Sequence, residues 1–262
     1  MSIRMIEVDT EADVRTKLGE ANSILLSASV PTPRDFPPHL KGAALQSLRQ
    51  NLSYLKTSKP AEIRSAVTAL TRLMLQRRIR LVFGAHPAIS PMVLSAARDV
   101  LFNLASRDPG NLAPPSPYIL IFQSKYFGDV LPDSTLDLAS WYAGLLVMTP
   151  LVSGGRQPRD DEEARLLNLR RMRELMVSVP GLRGAVFVGG MEGVVEEAHL
   201  FAKRNPGKPM YALGSTGSAA LELSRKTSLR QSFTDTQPPP SSIHNSPSYS
   251  VVAHDILEDL KI

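Results

Sequence analysis

Six short apolar runs, each separated from the next by a loop or a stretch with helical spacing, constrain this chain more than any other feature. They are Ser23–Val30, Arg80–Gly84, Tyr118–Ser124, Leu145–Thr149, Gly184–Gly190 and Lys208–Leu213. Unbroken apolar runs of this length, with no polar alternation, suit strands buried on both faces. The intervening segments repeat apolar residues every three or four positions. Ile63, Val67, Leu70 and Met74 mark a helix over 60–76, and Ile89, Met92, Val93, Ala96 and Val100 one over 88–104. Leu166, Leu169, Met172 and Met176 mark an inward face over 159–177, and Val194, Ala198 and Phe201 one from Gly193 to about Lys203. Strands alternating with helices in this way predict an α/β chain. It should be a Rossmann-like, doubly wound, mostly parallel sheet with helices on both faces. Residues 1–22 read as polar with weak helical spacing, 132–144 as helical or irregular, and 218–224 as a short helix. At 262 residues the chain suits one large domain, or a domain with an appendage. We expect a nucleotide-binding domain over 1–225, a Ser/Pro-rich mobile segment over 226–250, and a C-terminal helix over 251–262 that docks on the domain through Val252, Ile256 and Leu260.

Composition narrows the class. Cysteine is absent, so there is neither a disulfide nor a thiolate metal site, and a cytoplasmic protein is expected. The five histidines, His39, His86, His199, His244 and His254, show no ligand spacing, so no metal and no cofactor are expected. No run of about 18 apolar residues occurs, so no membrane span is expected. The net charge of +5 and pI of 9.6 permit nucleic-acid binding. The arginines, however, cluster in 72–80 and 156–173, the latter mixed with Asp160, Asp161, Glu162 and Glu163. That mixture reads as a solvated helix face with i,i+4 pairs, and a cationic pocket for a small anion explains the charge as well as DNA does.

The strand ends carry the candidate chemistry. Gly184–Val188 closes on Gly189-Gly190, with Gly193 three residues on, and then passes into a helix. Strand, glycine turn, helix is the arrangement in which backbone amides and the helix dipole face an anion. Glycine there permits positive φ and close approach of a ligand to the backbone. Glu197, one turn into the helix, is placed to accept ribose hydroxyls. The other ends read Ser27-Ala28-Ser29, Gly84-Ala85-His86, Ser124 and Ser215-Thr216-Gly217. Taken singly, small residues at a sharp turn and a histidine bonding a neighbouring backbone group are ordinary. Taken together at five strand ends, they describe a site for a flat, polar, phosphate-bearing molecule, outside the carboxyl ends of a doubly wound sheet.

The segments Leu26–Pro31, Leu81–Ile89, Met172–Met176, Phe187–Glu197 and Ser215–Gly217, in this order, resemble the SLOG superfamily. The superfamily includes the LOG phosphoribohydrolases, the Smf/DprA DNA-processing proteins and nucleotide-sensing domains. Gly189-Gly190…Gly193…Glu197 resembles its glycine-turn signature, and the likeness spans residues 23–225. It is greatest to the short SLOG proteins and domains of bacterial conflict systems. The resemblance implies a ligand sensor in anti-phage defence, taking a cyclic ADP-ribose-like or related nucleotide-derived messenger. It also implies a separate effector partner, a TIR, Sir2-type, nuclease or membrane module, and a homo-oligomer. The LOG branch implies the alternative of a nucleoside monophosphate N-glycosidase, with Glu197 as the carboxylate and an arginine on the preceding helix as anchor. The register set by Met176 puts Met172 at that arginine's place, between Arg171 and Arg173. Arg173 is the candidate phosphate partner. The Smf branch implies DNA binding.

Overall fold

A computed structural model of the chain describes residues 3–32, 52–107, 118–140, 144–152, 162–225 and 245–262. Seven strands form one parallel sheet, and the fold is the α/β, Rossmann-like one that the alternation predicts. The strands are β1 (Met5–Glu7), β2 (Ser23–Ser29), β3 (Arg80–Gly84), β4 (Ile119–Ser124), β5 (Gly144–Thr149), β6 (Leu182–Gly189) and β7 (Met210–Leu213). Their order is β1-β5-β4-β3-β2-β6-β7. Registers such as Leu25↔Val82, Val82↔Leu120, Phe122↔Val147 and Val186↔Tyr211 align the apolar runs residue by residue. Every residue of β4, β5 and β7 is buried, which is why these strands show no polar alternation.

The helices are α1 (Glu11–Leu18), α2 (Pro60–Gln76), α3 (Ser90–Arg107), α4 (Asp133–Ser140), α5 (Glu162–Met176), α6 (Glu192–Arg204), α7 (Ser218–Arg225) and α8 (Tyr249–Asp259). Pro60 opens α2 at the position where a missing N–H costs nothing. Its face Ile63, Val67, Leu70 and Met74 is buried as the spacing requires. Two expectations need correction. Residues 1–22 hold not only α1 but the edge strand β1, a three-residue strand too short to leave a pattern. Leu166 on α5 does not face inward. It is 50% exposed, and the buried face runs through Ala164, Asn168, Met172, Leu175 and Met176. Asn168 holds that core position because its amide is satisfied there, accepting from Val152 N–H at 3.0 Å and donating to Ala164 O at 2.7 Å.

The chain divides into two compact units, Met1–Leu25 with Thr71–Arg183, and Leu26–Leu70 with Gly184–Ile262. The first has its core in β3, β4 and β5, with Val82, Phe83, Leu120, Phe122 and Val147 fully buried. The second has its core in Leu26, Ile63, Val186, Phe187, Phe201 and Ile256. The C-terminal helix α8 starts at Tyr249 and buries Tyr249, Val252, Ala253, Ile256 and Leu257. The segment expected to be mobile lies outside the described residues as far as 244. Among the described residues no helix is long and apolar enough to cross a membrane.

Candidate functional site

The sheet order decides where a ligand site belongs. From β2 the chain winds through β3, β4 and β5, then returns to lay β6 on the other side of β2, with β7 beyond it. The winding therefore reverses between β2 and β6. In open α/β sheets the crevice outside the carboxyl ends of the strands opens at such a point. The residues there are Ser27, Ala28 and Ser29 from β2, and Gly189 and Gly190 from β6, all within the second unit.

These ends are knit together by backbone. Gly190 N–H donates to Ser29 O at 2.9 Å, and Gly190 O accepts from Ala219 N–H at 3.2 Å. Gly189 N–H donates to Thr216 Oγ1 at 2.8 Å. Thr216, fully buried, gives its own proton to Leu213 O at 2.6 Å. Gly189 and Gly190 take φ of +57° and +88°. A Cβ on Gly189 would lie 2.4 Å from Ile63 Cδ1, and one on Gly190 2.2 Å from Val194 Cγ2. Glycine is thus required at both places by conformation and by packing. The two amides expected to meet a phosphate are engaged inside the protein. The donors that the turn has for an anion come just after them, at the start of α6. Its N-cap Met191 is extended (φ −128°, ψ −157°) and provides no side-chain cap. Gly193 N–H belongs to the first turn, whose amides a helix leaves without intrahelical partners, at the positive end of its dipole. Gly193 and Glu197 are half-buried.

Two more features of the second unit bear on the site. Ser27 Oγ is buried and has no hydrogen-bond partner, an arrangement that costs about 1–3 kcal/mol. Ser29 lies beside it on the same face of β2, 9% exposed. At the exit of β7, Gly217 takes φ of +77°, and a Cβ there would come within 1.9 Å of Thr57 O. Ser218 Oγ donates to Tyr54 O at 2.9 Å, and Ser218 N–H to Thr57 Oγ1 at 3.2 Å. Ser215 Oγ lies 3.1 Å from the Tyr249 hydroxyl. Burial above all pushes that phenol up to about 12; the bond with Ser215 works against the rise and the Glu62 carboxylate adds to it. Tyr249 was not singled out from the sequence. It stands far from Ser215 along the chain, in no motif, and only folding brings the two together.

The remaining candidates belong to the first unit. Gly84 ends β3, and Met172 of α5 packs over it, its Cε 3.4 Å from where a Cβ would stand. His86 Nδ1 accepts from Ala88 N–H at 3.1 Å, so its ring proton sits on Nε2 in the neutral form. His86 O accepts from Ile89 and Ser90 N–H at 3.0 and 2.9 Å, which starts α3. Ser124 is fully buried and caps the 3₁₀ turn Lys125–Val130, its Oγ accepting from Tyr126 N–H at 3.2 Å. Arg173 is half-buried in the last turn of α5. Its neighbour Arg171 donates to Asp9 O at 2.7 Å and pairs with Glu174 at 3.7 Å.

Of groups able to hold a metal, His254, Asp255 and Glu258 on α8 bring one ligand atom each within 4.8 Å of one another. His254 and Glu258 are exposed and pair as i,i+4 neighbours at 3.5 Å, an ordinary helix-face contact, and Asp255 is half-buried.

No curated protein matches the chain. The model of the SLOG cluster3 family matches residues 53–237, a span that runs from just before α2 to beyond α7 and takes in the whole glycine turn. A match over well more than half of its length, on a chain whose winding reverses beside that turn, shows that the chain belongs to the SLOG cluster3 family.

Proposed function

We propose that this protein binds a nucleotide-derived small molecule, of the cyclic ADP-ribose kind, as a sensor in bacterial defence signalling, and releases it intact. Family membership points to a nucleotide-related ligand or to LOG-like chemistry. The observation that carries the binding reading is the α6 N-terminus. It follows two left-handed glycines, lacks a side-chain cap and stands beside the reversal of the sheet, where amides and dipole favour a phosphate. The unpartnered Ser27 hydroxyl at the end of β2 adds a group that a ligand would satisfy.

The choice of receptor over hydrolase is supported by α5. Met172, at the place where the LOG resemblance puts an arginine, is buried and packs over Gly84. A thioether there offers a reacting sugar no positive charge. N-glycosidic cleavage needs a carboxylate and an anchor in register, and a displacement of about 1 Å can cost a hundredfold in rate. In this reading Glu197 holds ribose hydroxyls, and Arg173 is the candidate phosphate partner. The signal passes to a separate effector, with the receptor acting as a homo-oligomer. Both of these rest on the resemblance to conflict-system proteins.

The test is long incubation of the protein with nucleoside monophosphates, NAD and ADP-ribose, followed by chromatography. Binding with full recovery of the ligand is expected. Free base released by wild type and not by Glu197→Gln would establish the N-glycosidase instead.

A further inference from the structure

The last helix, α8, is tied down at both ends, and the two ties are unequal. At its start the Tyr249 hydroxyl donates to Ser215 Oγ at 3.1 Å. At its end Asp259 Oδ2 accepts from the Tyr211 hydroxyl at 2.5 Å, and Leu260 Cδ2 stands 3.1 Å from where a Cβ on Gly184 would be. All of these residues belong to the second unit. Ser215 follows β7, whereas Tyr211 and Gly184 lie in the first halves of β7 and β6. The first turn of α8 therefore sits at the carboxyl ends of these strands, beside the site, and its last turn sits away from it. The late tie joins a phenol that is 1% exposed to a carboxylate. The early tie joins two neutral hydroxyls, one of them on half-buried Ser215. A hydrogen bond to a charged group is about twice as strong as a neutral one. Local opening of α8 thus begins at Tyr249, with the Asp259 end still docked.

What Tyr249 closes on is one residue from the support of the glycine turn. Ser215 and Thr216 share the 3₁₀ turn Gly214–Thr216. Thr216 Oγ1 accepts from Gly189 N–H at 2.8 Å, and Gly190 O accepts from Ala219 N–H at 3.2 Å. A shift of the 3₁₀ turn therefore moves the groups that hold both glycines. Directly behind it, Ser218 takes φ of +55°, a left-handed conformation that a residue with a Cβ keeps only when its surroundings impose it. Its Oγ donates to Tyr54 O and its N–H to Thr57 Oγ1. The exit of β7 is thus a strained turn held from outside, and loss of one tie lets it relax.

We propose that docking of the first half of α8 and binding of the ligand at the start of α6 favour one another through the Gly214–Thr216 turn. The proposal rests on the reading of the α6 N-terminus as the phosphate site and adds the element that reports its occupancy. With Tyr249 on Ser215, Thr216 is kept on Gly189 and the glycine turn is held in its binding conformation. A ligand that orders the glycine turn holds the exit turn in the same way, and Tyr249 with it. Such a coupling is reciprocal, so each event strengthens the other by the same factor. The face of α8 that ligand binding then orders presents Val251 and His254 to solvent.

The experiment is hydrogen exchange on the full chain, free and saturated with ADP-ribose, with affinity measured by calorimetry. In wild type the ligand should raise protection of the amides of 251–255 about five- to tenfold, a coupling of ordinary size, and leave 257–260 unchanged. Tyr249→Phe keeps the ring and removes the bond. It should lose that rise and bind ADP-ribose more weakly by a similar factor. Ser215→Ala cuts the same bond from the other side and should also lose the rise. Tyr211→Phe loosens the far end of α8 and should leave ADP-ribose affinity unchanged. Wild type that binds ADP-ribose with no change in α8 overturns the coupling and leaves the phosphate site standing. Tyr249→Phe that binds as wild type does overturns it as well, and so does Tyr211→Phe that weakens binding as much as Tyr249→Phe. Wild type that binds no ADP-ribose removes the phosphate site itself, and the coupling falls with it.

Discussion

At the scale of single residues, the site is held by groups whose bonds are already made. Thr216 is the example. Its one hydroxyl accepts from Gly189 N–H and donates to Leu213 O inside a fully buried position. Thr216→Val keeps the shape and removes both bonds, leaving a buried amide and a carbonyl unpaired. A loss of about 2–4 kcal/mol is expected, from two groups at roughly 1–2 kcal/mol each, and Thr216→Ser should recover most of it. Denaturant midpoints measure both. Gly217 makes a sharper case, since any side chain would enter the Thr57 carbonyl at 1.9 Å with φ at +77°. Gly217→Ala should therefore destabilise by well over the ~1 kcal/mol that a left-handed alanine costs by itself. An unchanged melting temperature would show that residues 54–58 do not sit against the β7 exit. The glycines and hydroxyls were legible as special in the sequence. Their partners were not, because Thr57 carries no mark at all, and Ile63 and Val194 read only as core-facing helix positions, with nothing to say which glycine each packs against.

At the scale of elements, α8 is held by a buried apolar face and two phenols. Ile256 is fully buried, and Ile256→Ala should cost about 2–5 kcal/mol in denaturant unfolding. The phenols add a pH dependence whose sign follows from linkage. Tyr249 is raised from its usual value near 10 to about 12. Tyr211 is raised too, by burial first and then by its bond to Asp259 Oδ2 at 2.5 Å. A group whose folded value is raised contributes stability that is complete below the unfolded value and lost as pH climbs through the folded one. Stability should thus be flat up to pH ~10 and fall between pH ~10 and ~12, where the unfolded chain ionises first. The double variant Tyr211→Phe, Tyr249→Phe should flatten that fall, as read from urea midpoints against pH. The opposite sign holds for Asp13 of the α1 capping box. Bonds from the Asp9 and Thr10 amides and the Thr10 hydroxyl hold its carboxylate below the ordinary value. Protection factors of the α1 amides, corrected for the intrinsic exchange rate at each pH, should fall as pH drops through that lowered value.

At the scale of the whole molecule, each compact unit is assembled from segments far apart in the chain. The glycine turn draws on residues from both segments of its unit, Ser29 and Ile63 from one and Thr216 and Ala219 from the other. Ligand binding there should be read by global stability. At about a hundred times its dissociation constant a bound nucleotide should add roughly 2.7 kcal/mol. Gly193→Val, which puts a branched side chain in the first turn of α6, should abolish that gain in a thermal melt while the free protein still unfolds cooperatively. The sequence by itself determined six of the seven strands, most helices, the α/β class and the family. Each of these follows from local periodicity or from a contiguous motif, and an apolar run such as Leu120–Phe122 has one way to be buried on both faces. Only the tertiary structure decided that Asn168 and not Leu166 faces the core. It also decided that the Gly189 and Gly190 amides are engaged, and that Tyr249 meets Ser215. These are matters of which distant groups satisfy one another's hydrogen bonds, and a one-dimensional pattern carries no record of that pairing.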